Sequence, residues 1–213
     1  SDNLFYDVKQ KSNSDPTFII HGILCLTWFI LLVIQTGYIR RENYKAHIRL
    51  GIAGMFVALG VFISTVYVFV AIYKGWDAMP FYVKANRFCM FSFAVLMLLA
   101  YLNRKNGVKH KRFVYMASLY MLGPILDRVA GKLQVENVDI FNGIIWNALF
   151  ISLFVYDWQM LKRIHPISWI AVVWFYLIPF WGFFFFFSIL FFRFIFSNML
   201  FMLFFQMIFF KFS

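Results

Sequence analysis

Three polar side chains stand in line on the first apolar run of the sequence: His21, Trp28 and Gln35, spaced i, i+7 and i+14. Two α-helical turns take about 7.2 residues, so in a helix all three share one face, in a stripe about 21 Å long. Polar groups inside a membrane span are costly and each asks for a reason. One reading is a polar lining for a ligand, a proton path or a cofactor edge. The other is a packing seam, with His21 and Gln35 at the two interfaces and Trp28 filling the middle. The places of His21 and Gln35 near the ends of the run favour the seam.

Four histidines raise the question of haem. Ligation by two imidazoles needs both at one depth, facing each other from different helices. His21 has no histidine at its level. His47, His110 and His165 share the opposite level, but in or beside basic loops, which makes a poor haem site. Haem b held by His47, His110 or His165 therefore stands as the alternative, and otherwise no cofactor is expected. The sequence has no HExxH pair, no carboxylate cluster at helical spacing and no P-loop, GxGxxG or GxSxG motif. No metal site is expected, ATP-driven transport by this chain alone is excluded, and an enzyme is less expected than a binding or structural protein. Cys25 and Cys89 both lie in apolar runs and are read as buried small hydrophobes.

The other polar residues fall into two groups. At the level of His21 stand Asp77, Arg87, Asp127, Arg128, Asp139 and Asn142, where both charge signs converge, and this group is the favoured pocket. Bland readings stand beside it: Asp127 and Arg128 as a solvated interfacial pair, and Asn142 with Asn147 as sources of interhelical hydrogen bonds. At the opposite level stand Gln35, His47, His110, Asp157 and His165 among many Lys and Arg.

The elements that carry these residues follow from composition. Of 213 residues 63% are hydrophobic and 14% charged, and the mean hydropathy is +0.76. A soluble domain is nearer half apolar and a quarter charged, so a soluble fold is ruled out. At about 20 residues per span there is room for roughly six to eight spans. The apolar runs place helices at about 17–39, 48–73, 87–102, 113–126 (bent at Gly123-Pro124), 140–156 and from 167 onward. Gly54 and Ala58 form a small-xxx-small step for helix packing. The expected domains are a polar leader over 1–16, a membrane domain of six helices over 17–192, and a Phe-rich tail over 193–213 that offers a seventh span near 194–210. Coding bias or a shifted reading frame would also produce such a tail, so no function is rested on it. The first apolar run is too long for the h-region of a signal peptide, so no cleaved signal is expected, and Ser1 fits a removed initiator Met.

The net charge is +11. Its basic residues sit in short loops, so topology explains them better than nucleic acid does, and no nucleic-acid partner is expected. The loops at Arg40, Arg104 and Lys162 carry 11 Lys and Arg against 7 on the alternate side, and seven of the nine acids lie on that alternate side. The fold class is therefore all-α, a polytopic helical membrane bundle of six or seven transmembrane helices with the N-terminus outside.

His21-Gly22, Trp28, Gln35, Asn43, His47 and Leu50-Gly51 together resemble the opening two helices of an uncharacterised family of bacterial multi-pass inner-membrane proteins. Tyr156-Asp157 and His165-Pro166 resemble a later loop of that family. The resemblance covers 16–51 well and 156–166 loosely. It implies fold and a bacterial inner-membrane location, and no activity. It singles out His21, Trp28, Gln35, Asn43 and His47 as a set. Gln35, Asn43 and His47 would meet at the inner end of the first two helices, unless Asn43 serves only as a turn residue or helix cap. The expected function is either an accessory subunit of a membrane complex or a small binding or transport-like protein with a polar intramembrane pocket, in contact with lipid.

Overall fold

The computed structural model describes residues 16–178 except 72, 74, 77 and 80. The leader before Pro16, Asp77 and the Phe-rich tail, on which the expected seventh span falls, lie outside the described residues.

The chain enters α1 (Pro16–Arg40) at a proline, whose missing N–H and fixed φ suit a first helical turn. The turn at 41–43 is closed by Glu42 in the left-handed region, φ 54°. Asn43 then caps α2 (Tyr44–Ala71), its Oδ1 accepting from the Ala46 amide at 3.1 Å. So short a turn forces an antiparallel hairpin, and α1 and α2 pack along their length. The close approach is at Gly60, where a Cβ would stand 3.3 Å from Leu24, and at Gly51, where it would meet Gln35 at 3.4 Å. Gly54 has nothing within 4 Å of a Cβ, so the small-xxx-small step at Gly54 and Ala58 is not where the two backbones are held close.

A second hairpin joins α3 (Phe81–Leu102) to α4 (Gly107–Tyr120). Both begin six residues before the expected starts. For α4 the reason is Asn106, whose Oδ1 accepts from the Lys109 amide at 3.2 Å and starts the helix inside what reads as a basic loop. Gly123-Pro124 does not bend a continuing helix. The helix ends at Tyr120, and the proline opens α5 (Gly123–Lys132), where its missing N–H does no harm. Asn137 caps α6 (Val138–Leu161), which ends at Lys162 in the left-handed region. Pro166 opens α7 (Pro166–Ile178).

Four of these helices, α1, α2, α3 and α6, are long and apolar enough to cross a membrane. With its 14 residues α4 spans only about 21 Å, less than a hydrocarbon core of about 30 Å. It is nevertheless the central helix. Met116, Leu119 and Tyr120 pack with Trp146, Phe150 and Leu153 of α6 and with Ala171, Val172 and Ile178 of α7. Ala117, on its other side, packs with Trp28 of α1, Ala58 and Val61 of α2, and Phe93 and Met97 of α3. The large apolar residues that face outward, such as Val33, Phe56, Val70 and Ile170, suit a lipid surface.

A cavity at the basic end as candidate functional site

The turns at 41–43, 103–106 and 162–165 gather at one end of the bundle, as the contacts among their neighbours show. His47 of α2 meets His110 of α4, with ring centres 6.4 Å apart and planes at 87°. His110 Nδ1 donates to the Ala100 carbonyl at 2.9 Å, which leaves Nε2 outside that bond. Lys111 donates to the Tyr156 hydroxyl of α6 and lies 4.8 Å from the centre of its ring.

Below this surface Arg112 and Asp157 form an ion pair, 1% and 0% exposed. Arg112 also donates to the Val108 carbonyl at 2.6 Å. The second oxygen of Asp157 accepts from the His165 amide at 2.9 Å and from Ser168 Oγ at 2.7 Å. One carboxylate thus ties α4, α6 and the start of α7 together. Burial, and then the Arg112 charge, hold the His165 imidazole below its ordinary pKa. The neutral ring accepts from the Ile167 amide through Nδ1 at 3.1 Å.

Between α1, α4 and α6 lies a cavity of about 670 Å³, a volume typical of small-ligand sites. Phe29, Leu32, Val114, Leu119 and Leu122 make its apolar walls, and Gln35, Arg40, His47, His110 and Lys111 gather at the basic end. Gln35 is held by a bond from Nε2 to the His47 carbonyl at 3.1 Å, an approach that Gly51 permits by lacking a side chain. Three polar atoms of lining residues are buried without a hydrogen-bond partner: Gln35 Oε1, His47 Nδ1 and Arg112 Nε. No lining residue is acidic. The Arg112 charge is met by Asp157, whereas Arg40 and Lys111 have no carboxylate partner among the described residues.

Of the residues singled out from sequence, Gln35 and His47 touch each other and line the cavity, as does His110. Asn43 is exposed and caps α2. The members of the first-helix stripe each reach a neighbouring helix. His21 Nδ1 bonds Ser64 Oγ at 3.0 Å, and Trp28 Nε1 donates to Ser118 Oγ at 3.3 Å while its ring meets the Phe93 ring edge-on at 5.9 Å. At the opposite end Asn142 donates to Asp127 at 2.7 Å, and Arg128 turns back to the Pro124 carbonyl at 3.0 Å instead of pairing with Asp127. Asp139 is exposed in the first turn of α6, where the helix dipole favours a carboxylate. Arg87 donates to the Phe69 carbonyl at 2.9 Å and covers the Phe69 and Tyr73 rings. None of these lines the cavity. His165 is not with the other two inner histidines but beside Asp157.

The Arg112–Asp157 pair was not legible as a pair, since both residues fall in segments that read as loops. One signal was present: Asp157 sits between Tyr156 and Trp158, with Met160 and Leu161 beyond, an apolar setting unusual for a loop acid. The architecture fits the class of helical membrane proteins. No protein-family model, curated protein or solved structure matches the chain.

Proposed function

We propose that this is a multi-pass membrane protein that binds a small apolar or amphiphilic molecule in the cavity between α1, α4 and α6, without an energy source of its own. The observation that carries this reading is the 670 Å³ cavity with its cations, histidines and Gln35 gathered at one end, while Tyr115, Ser118 and Ser152 on its walls are hydrogen-bonded within the bundle. Thr36 and Ser152 stand exposed at its rim, so a bulky side chain there blocks the mouth without entering the core. Extraction of purified Thr36→Trp and Ser152→Phe should release at least about tenfold less bound ligand than wild type, by mass spectrometry. Equal ligand content in all three proteins would sink the reading.

A basic end in the cytoplasm and an N-terminus outside are supported by the excess of Lys and Arg at 40–49, 104–112 and 162–163. A cysteine introduced at Asn106 should then resist a membrane-impermeant thiol reagent in whole cells. Labelling there would reverse the topology. A bacterial inner-membrane location rests on the resemblance over 16–51 and 156–166.

Haem is a second reading, and the His47–His110 pair favours it over one that includes His165. The two rings come from different helices at one depth, half-buried, and they share a cavity wall. With His110 Nδ1 committed to Ala100, its Nε2 would be the ligand atom. A Soret band that shifts on dithionite reduction, and that is lost in His110→Ala, is the expected result of this reading. A spectrum of aromatic absorbance alone, from cells supplied with haem, removes it.

A further inference from the structure

We infer that the cavity takes a single-chain amphiphile with an anionic head, drawn from the leaflet at the basic end, a conclusion that rests on the binding reading above. Four observations lead there. The first is depth. The lining residues of α1 run from Phe29 to Arg40, which at 1.5 Å per residue is about 16 Å. That matches one leaflet of a hydrocarbon core of about 30 Å. The second is polarity along that depth. Phe29, Leu32, Leu119 and Leu122 lie away from the basic end, and Gln35, Arg40, His47, His110 and Lys111 lie at it. A molecule that fits has a tail pointing to the bilayer middle and a head at the interface.

The third is charge. The cavity lining holds no acid, and the cations at its mouth, Arg40 and Lys111, have no carboxylate partner among the described residues. His47 Nδ1 and Arg112 Nε are buried and unpartnered, and both can donate to a head-group oxygen. Asp157, paired with the lining Arg112, has its oxygens taken by Arg112, the His165 amide and Ser168, so it does not compete for the cations at the mouth, and Glu42, in the turn two residues after Arg40, makes no ion pair with it. The fourth is size. A volume of 670 Å³ lies within the range of small-ligand sites, about 300–1,000 Å³, the scale of one chain with its head.

The test uses the full chain in phosphatidylcholine nanodiscs, with spin-labelled stearic acid, its methyl ester and an alkyl phosphate of equal chain length as probes. Binding is read as the immobilised fraction in the electron paramagnetic resonance spectrum. The acid and the phosphate should each bind about tenfold or more tighter than the ester, and added salt should narrow the gap. Lys111→Gln should bring the acid down toward the ester and leave the ester unchanged, and Lys111→Arg should restore the preference. Arg40→Gln gives the same readout should the Lys111 variant fold poorly. If acid and ester bind equally and Thr36→Trp blocks both, the head-group inference falls and the cavity reading stands. If Thr36→Trp blocks neither, both fall. A preference for the anionic probes that survives both charge removals also overturns the inference.

Discussion

Asp157→Ala is expected to be the most damaging single substitution in the described part of the chain, costing about 3–5 kcal/mol. The carboxylate is fully buried, and its loss strands the Arg112 guanidinium in a site with 1% exposure. It also removes the acceptor for Ser168 Oγ and for the His165 amide, so the link from α6 to the start of α7 goes with the ion pair. Arg112→Ala should cost a similar amount, because it leaves the opposite charge uncompensated. The double variant Arg112→Met, Asp157→Leu should recover most of the loss, since apolar replacement of both partners of a buried pair is often neutral or stabilising. Unfolding midpoints of the four proteins in one detergent make the comparison. A shift for Asp157→Ala no larger than that of an exposed substitution, about 0.5 kcal/mol, would mean that water reaches the pair and that it does not hold α4, α6 and α7 together.

That prediction depends on a contact whose two residues were visible in the sequence and whose meeting was not. Apolar runs at about 17–39, 48–73 and 140–156 gave α1, α2 and α6 with ends within five residues, because long apolar stretches admit little else. Gln35 and His47 do touch, as the resemblance over the first two helices implied, whereas Asn43, expected with them, caps α2 instead. The start of α4 did not follow. Lys109, His110, Lys111 and Arg112 look like a solvated loop, but Asn106 caps a helix through them. Three of the four keep their charged or polar ends at the bundle end, and Arg112 turns inward. Long basic side chains at helix ends commonly reach for the interface in this way, so their presence does not end a helix. The ligand-sized space was equally hidden. Convergence of both charge signs drew attention to Asp127, Arg128, Asp139 and Asn142, whereas the cavity lies at the other end, between apolar walls. Hydropathy reports the depth of a residue, and only packing reports where helices part.

Trp28→Ala and His21→Ala separate the two readings of the first-helix stripe. Trp28 is 3% exposed, packs edge-on against Phe93 and donates to Ser118, which lines the cavity. Truncating it should cost about 3–5 kcal/mol, as for other large buried aromatics. It should also weaken ligand binding, because α1 loses its bond to α4 at the cavity wall. His21 is half-buried, and its side-chain partners on other helices come down to Ser64. Interhelical hydrogen bonds in membranes average about 0.6 kcal/mol, so His21→Ala should change stability by no more than about 1 kcal/mol and leave cavity binding intact. This ranking, measured by unfolding midpoint and by probe immobilisation on the same preparations, is what a packing seam with a single ligand-facing end at Gln35 requires. If His21→Ala instead abolishes binding while Trp28→Ala spares it, the stripe is a polar path. The binding site then belongs at the opposite end, with Asp127 and Asn142, where the charge pattern of the sequence first pointed.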